Sequence, residues 1–575
     1  MQKIAISIVF CCLFWLSCST TQPISLPTAI PVDNIGNIIQ DYEALGQQIN
    51  EEFAAPWPNL SEEKFKKELA EYTKILARLE QIEDSQLADA DKINHNLLSL
   101  VLKDKIYRLG FESHLFPLNS EGGFLAGVVY GLQNQRVSND EGFEKFKNKL
   151  TTLPAYFQTR MYQMQVGQTK GKSSPKLVVE NCIKLIDGVL NTPKEELFFL
   201  NAVKGQPERT TAVLEILDAK ILPAYREFRA FLAYEYLAKA PEKVGIAGIT
   251  DGKTYYEQRV KFFTTFDISP KEVFDIGQAE VKRIRTEMQL IIEELGFEGS
   301  FADFLVFLRT DPQFYPKTPK ALLQQAAWIT IEMQGKLPQY FGKLPRLPLT
   351  VTPVPAALAP NYTGGRYSPG SYARKKAGEY WVNTYKLESR PYYVLPALSL
   401  HEGVPGHHLQ MMLAAEMENI PKFRQRTYLS AFGEGWGLYS EYLGKEAGMY
   451  KTPYEDFGRL TYEMWRACRL VVDPGMHYMD WTREKAVQFM SENTALSLHE
   501  VNTEIDRYIG WPAQAVSYKI GELKIRELRK LAEVELGSKF DLAAFHDKIL
   551  ENGSVPLSTL EAIIQQYIIV EKAKN

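Results

Sequence analysis

The sequence has little cysteine and little histidine, five and eight in 575 residues. Cys11, Cys12 and Cys18 stand at the amino terminus, which leaves Cys182 and Cys468 for the rest of the chain. Two cysteines so far apart make no disulfide framework; two buried thiols are expected, with a single bridge as the alternative. No charge sign dominates: 66 Lys and Arg face 70 Asp and Glu, for a net −4. That balance lacks the basic footprint of a nucleic-acid binder. Past the amino terminus there is no run of about 18 apolar residues, so no later membrane-spanning helix is expected. No Gly-x-Ser-x-Gly elbow occurs, which counts against a serine hydrolase of that type. Residues 167–173 (GQTKGKS) are one residue short of a phosphate loop and read as a solvated loop. With 45% hydrophobic and 24% charged residues, the chain as a whole is neither disordered nor collagen-like.

What is present begins with an address. In residues 1–17, Lys3 precedes an apolar run from Ile4 to Leu16 broken only by Ser7. The run is too short to span a bilayer comfortably and reads as a signal peptide. Ser17-Cys18 then resembles the cleavage site and lipidated cysteine of bacterial lipoproteins; an ordinary cleaved signal is the alternative. Ser19, where Asp would signal inner-membrane retention, points by the same resemblance to the outer membrane. Residues 18–34 read as a tether rich in Ser, Thr, Pro and Gln. The only membrane contact expected is the lipid.

From Ile35 the periodicity is helical. Asn59-Leu60-Ser61-Glu62-Glu63 offers a helix start, followed by Phe65, Leu69, Tyr72 and Leu76 at helical spacing. Further amphipathic runs cover residues 89–109, 140–165, 175–189, 208–237, 269–295, 300–310 and 318–337. Leu347–Val354 and Gly378–Tyr385 are rich in β-branched or aromatic residues and read as strands. Helices resume at about Pro391. The expected fold is mainly α: a large helical body around a central cleft, with a small antiparallel sheet near the site. Residues 35–345 are expected to form the cleft walls and 346–575 the catalytic part of one integrated body.

Four of the eight histidines, His401, His407, His408 and His477, crowd into a short stretch. His401-Glu402 followed by His407-His408 has the residue types of a zinc hydrolase, two imidazoles and a base. The usual spacing puts the histidines four apart on one helical face. Here they are six and seven apart, which in a straight helix turns the second away by about 240° or carries it about 10 Å along. Pro405-Gly406 between them allows a non-helical bulge that brings His407 or His408 back over His401. Downstream, Phe432, Trp436, Tyr439 and Leu443 form one apolar stripe and leave Glu434 and Glu441 on another face. The intervening length suits one helix, a turn and an antiparallel helix. Gly433 and Gly435 flank Glu434 and permit close helix approach.

The string His-Glu-x-x-Pro-Gly-His-His-x-Gln at 401–410 and Gly-Glu-Gly-Trp-x-Leu-Tyr-x-Glu at 433–441 resemble the bacterial lipoprotein family catalogued as domain of unknown function 885. Residues 469–477 (RLVVDPGMH) and 511–521 (WPAQAVSYKIG) match as well, with Pro474 where Thr is commoner. The resemblance spans roughly Asp41 to Val570. That family is similar to gluzincin-type helical metallopeptidases, which use His-Glu-x-Gly-His and a downstream Glu. Matching Gly-His to Gly406-His407 implies one Zn²⁺ held by His401, His407 and Glu434, with His408 the alternative ligand.

In this reading Glu402 is the general base, and Glu441 either supports a ligand histidine or is a surface charge. His477 and Tyr518 are candidate oxyanion donors, with Tyr508 a third choice. Arg469 and Arg366 are candidates for a substrate carboxylate, and Asp473 for orienting Arg469 or His477. Tyr380 and Trp381, on a strand just upstream, are expected to pair with extended peptide. The expected function is hydrolysis of short peptides. A non-catalytic binding lipoprotein and a hydrolase of non-peptide amides or esters are the alternatives.

Overall fold

Ser61 caps the helix Glu62–Leu79, its hydroxyl accepting from the Lys64 N–H. Ser269 and Ser300 close reciprocal capping boxes with Glu272 and Asp303, opening the helices Pro270–Glu294 and Phe301–Thr310. In the computed structural model Thr452 and Ser497 cap the helices Pro453–Tyr478 and Leu498–Gly510 as Ser61 does. The structure describes residues 34–574, apart from 84, 86, 134, 357, 358, 360 and 361. The expected signal peptide, Cys18 and nearly all of the expected tether lie outside the described residues.

The fold is mainly α with a small sheet. Two expected helices are subdivided. The run 140–165 breaks at Thr152, ahead of Pro154, into Asp140–Thr151 and Leu153–Thr169. The run 208–237 carries two wider π-helical turns, Leu217–Ile221 and Phe231–Tyr236. One continuous apolar cluster runs from Ile35 to Ile568, so the amino- and carboxyl-terminal parts share a core. Cys182 and Cys468 are free and buried. Among the described residues no helix is long and apolar enough to cross a membrane.

Seven helices position the site and are numbered here in chain order: α1 Pro270–Glu294, α2 Leu395–Glu402, α3 His407–Ala415, α4 Ser430–Glu446, α5 Pro453–Tyr478, α6 Leu498–Gly510 and α7 Ser517–Leu536. Helix α5 is buried almost throughout and lies between α1 and the helices of the site. Lys519 on α7, fully buried, ties three of these helices together. It reaches Glu280 on α1 (3.1 Å), Glu463 on α5 (2.8 Å) and Glu522 on its own helix (2.7 Å). A buried ammonium is tolerated only with such partners.

The sheet has strands β1 Leu349–Pro353, β2 Gly365–Ser368 and β3 Gly378–Val382, in the order β1-β3-β2. It is mixed rather than wholly antiparallel: β3 pairs parallel with β1 and antiparallel with β2. β2 was not legible as a strand, because four residues, Gly-Arg-Tyr-Ser, are too few to show alternation.

Candidate metal centre

Helix α2 ends at Glu402, and the chain turns through Gly403–Gly406 before α3 begins at His407. The expected bulge is therefore a full break between two short helices. The Val404–Pro405 peptide is cis. The Gly406 N–H donates to the Leu400 carbonyl (2.9 Å), folding the turn back on α2. A Cβ at Gly406 would collide with the His401 carbonyl oxygen, so this close return requires glycine. Trp436 on α4 donates its indole N–H to the Pro405 carbonyl (2.8 Å) and clamps the turn from the opposite side.

This geometry brings His407, not His408, over His401. The Nε2 atoms of His401 and His407 each lie 3.3 Å from the same oxygen, Oε2 of Glu434 on α4. All three ligand atoms fall within 4.8 Å of one another. Donors bound at about 2.0–2.1 Å to one tetrahedral ion stand about 3.3 Å apart. The two nitrogen–oxygen separations match that edge and are long for charge-assisted hydrogen bonds, at about 2.7–2.9 Å. Two imidazoles and one carboxylate are also zinc's usual donor set with a position left open.

The neighbours hold these groups in place. His401 Nδ1 donates to Glu441 Oε1 (2.8 Å), and Arg466 on α5 reaches the same carboxylate oxygen (3.2 Å). Glu441 is thus buried against His401 rather than lying on the surface. A Cβ at Gly437 would lie 2.5 Å from His401 Cε1 and 2.7 Å from its Nε2, so this glycine makes room for the ring. Gly435 lets α4 meet α7 backbone to backbone at Gly521. Burial works against a charged His401, but its hydrogen bonds to Glu434 and Glu441 prevail and lift it to about 9. Burial likewise pushes Glu434 up, and the two histidines outweigh it and hold the carboxyl well below its usual range.

The three donors open into a cavity of about 440 Å³. Glu402 lines it beside the cluster, its carboxylate accepting from the Tyr367 backbone N–H (2.7 Å). The amino-terminal part contributes Glu121, Phe262 and Phe263 to the lining.

Residues 42–564 match the family described as a bacterial protein of unknown function, DUF885. The chain belongs to this family. No curated protein matches it. Among solved structures it is similar to a candidate lipoprotein from Colwellia psychrerythraea, at 27% identity and a TM-score of 0.85. That alignment covers 93% of this chain and 98% of the other. It is also similar to a candidate lipoprotein of unknown function from Shewanella oneidensis, at 17% identity and a TM-score of 0.71, covering 93% and 100%. At that lower identity the likeness concerns the fold alone.

Other expected site residues of this DUF885 chain fall in different places. His408 has both ring nitrogens committed: Nδ1 accepts from the Tyr367 hydroxyl (3.0 Å) and Nε2 donates to the Leu347 carbonyl (3.1 Å). Burial lowers it to about 4, so it is a neutral strut between α3 and the sheet region. His477 is fully buried outside the cavity lining. Its Nδ1 accepts from the Ile246 N–H (2.9 Å) and its Nε2 donates to the Tyr508 carbonyl (3.0 Å), which removes it from the oxyanion candidates. Asp473 orients neither Arg469 nor His477 by a hydrogen bond. Its Oδ2 accepts from the Tyr256 hydroxyl (2.6 Å) and the Ala513 N–H (3.0 Å), and its nearest approach to His477 is 3.9 Å.

Tyr508 is also buried away from the cavity. Its hydroxyl accepts from the Trp465 indole (2.9 Å) and from Arg469 Nε (2.8 Å), so it supports Arg469 rather than touching substrate. Tyr380 and Trp381 belong to β3, the central strand, which has no free edge and does not line the cavity. The strand edge facing the cavity is β2, with Gly365, Arg366 and Tyr367 in the lining. Tyr518, Arg469 and Arg366 do line it, and Arg469 stacks on the Tyr518 ring at 4.2 Å.

Tyr367, Arg466 and Tyr428 also line the cavity, and no sequence motif marks them. The Tyr428 hydroxyl donates to Glu434 Oε1 (3.1 Å), and its ring occupies the space beside Gly433. The signal available for Tyr428 is Gly433, whose missing side chain makes room for the Tyr428 ring rather than for a neighbouring helix.

Proposed function

We propose that the protein is a zinc-dependent peptidase acting on short peptides, anchored by lipid in the bacterial cell envelope. The observation that carries this reading is the convergence of His401, His407 and Glu434, from three helices, on one point beside Glu402 and inside a cavity. A zinc ion held by that set would supply Lewis acidity and a water of pKa about 7. Glu402, fixed by the Tyr367 N–H, takes the proton of the attacking water and returns it to the leaving amine. Tyr518 is kept protonated by burial and by the nearby Glu434 charge, and donates its hydroxyl to the developing oxyanion. Arg466 and Glu441 fix the orientation of His401. The Ser17-Cys18 site and the similar candidate lipoprotein from Colwellia psychrerythraea support the lipid anchor, and Ser19 favours the outer membrane.

The test is cleavage of a mixed short-peptide library by the wild type and by Glu402→Gln. Loss of a general base lowers rates by about 10²- to 10⁴-fold. The expected outcome is zinc in both proteins and cleavage by the wild type alone. Zinc in both and cleavage by neither favours a binding lipoprotein instead.

A further inference from the structure

The cavity lining holds four arginines against five glutamates, an excess of one negative charge. A divalent cation at the His401–His407–Glu434 cluster turns that into an excess of one positive charge, which complements an anionic group on the substrate. The arginines differ in how they are occupied. Arg466 is paired with Glu441, and Glu504 on α6 is shared between Arg469 and Arg507. That one carboxylate serves two guanidiniums, and Nη1 of Arg469 is buried without a hydrogen-bond partner.

Arg366 on β2 is the arginine free to act. Its side chain is exposed and lines the cavity, and its guanidinium makes no hydrogen bond or ion pair among the described residues. It rests over the Tyr362 ring at 5.2 Å, within electrostatic reach of Glu402 and Tyr518. A guanidinium fork matches a planar carboxylate with two parallel hydrogen bonds. Consecutive strand residues are about 3.3 Å apart, so Arg366 and the Tyr367 N–H that holds Glu402 belong to one stretch of wall.

We propose that Arg366 receives the free C-terminal carboxylate of the peptide, so that the substrate class is peptides with an unblocked carboxyl end. This rests on the peptidase reading and narrows it. A C-terminus fixed by Arg366 leaves roughly the last one or two peptide bonds beside Glu402.

Binding tests this without turnover. The zinc-loaded Glu402→Gln protein is titrated with a pool of N-acetylated tripeptides of neutral side chains, once as free acids and once as C-terminal amides. The acid pool is expected to bind about tenfold tighter or more. Adding Arg366→Gln should reduce the acids to the level of the amides, and Arg366→Lys should fall between. Equal binding of acids and amides, including no binding of either, overturns the proposal, as does an acid preference that survives Arg366→Gln. Failure of the wild type to cleave either pool contradicts the peptidase reading alone, because the acid–amide difference is read separately.

Discussion

Glu441 shows what a single side chain does here. Its carboxylate accepts a hydrogen bond from His401 Nδ1 and is also met by Arg466, which leaves His401 Nε2 directed at Glu434 and His407. Supporting carboxylates of this kind change metal affinity about 10- to 100-fold. Glu441→Gln, which keeps the shape and loses the charge, is therefore expected to weaken zinc binding by about that factor. A competition titration against a chelator measures it, and an unchanged affinity contradicts the role. His407 and His408 make the opposite point. Adjacent in sequence, they start a helix on different faces: one nitrogen of His407 reaches Glu434, while His408 braces Tyr367 and Leu347. Spacing could not separate them, because the choice depends on how many residues the turn at Gly403–Gly406 consumes.

Helices α2, α3 and α4 form the cluster only because glycines let them close. At Gly437 the His401 ring occupies the volume a methyl group needs. Gly437→Ala is expected to displace the ring and lose zinc while the secondary structure stays intact, since alanine is the better helix former. Zinc content with circular dichroism checks both parts; full zinc occupancy in the variant contradicts the packing argument. At this scale much was legible. The stripe Phe432, Trp436, Tyr439 and Leu443 is buried, as its spacing required, and the proline-glycine break lies between the histidines. Strand pairing was not legible. β3 reads as a strand, but its central place depends on β2, too short to announce itself, so the sequence points to Tyr380 and Trp381 for peptide pairing where β2 lines the cavity instead. His477 is an oxyanion candidate only because similar peptidases use His or Tyr in that role, and the chain's path bonds it to backbone at Ile246 and Tyr508 instead.

The whole molecule couples its fold to protons and, on the proposed reading, to metal. His546 is fully buried between the Tyr439 hydroxyl and the Tyr340 carbonyl, and burial lowers it to about 3. Burial likewise lowers His114 to about 4. In the unfolded chain these imidazoles take a proton near about pH 6.5. Between that value and the folded pKa values the unfolded state binds more protons, so stability rises with pH and is lost progressively as pH falls from about 6.5. The melting temperature of the metal-free protein is expected to decline across that interval; a flat profile from about pH 6.5 to 4 contradicts the burial of neutral histidines. Zinc at the proposed site would act on the same equilibrium, because an ion bound to the folded state alone stabilises it. The most direct measurement is zinc stoichiometry together with the zinc-induced rise in melting temperature for the wild type, His407→Ala and His408→Ala. The expected result is one ion and a raised melting temperature in the wild type, retention of that ion in His408→Ala, and loss of both signals in His407→Ala. A bound ion that survives His407→Ala, or one that leaves with His408→Ala alone, contradicts the assignment of His401, His407 and Glu434.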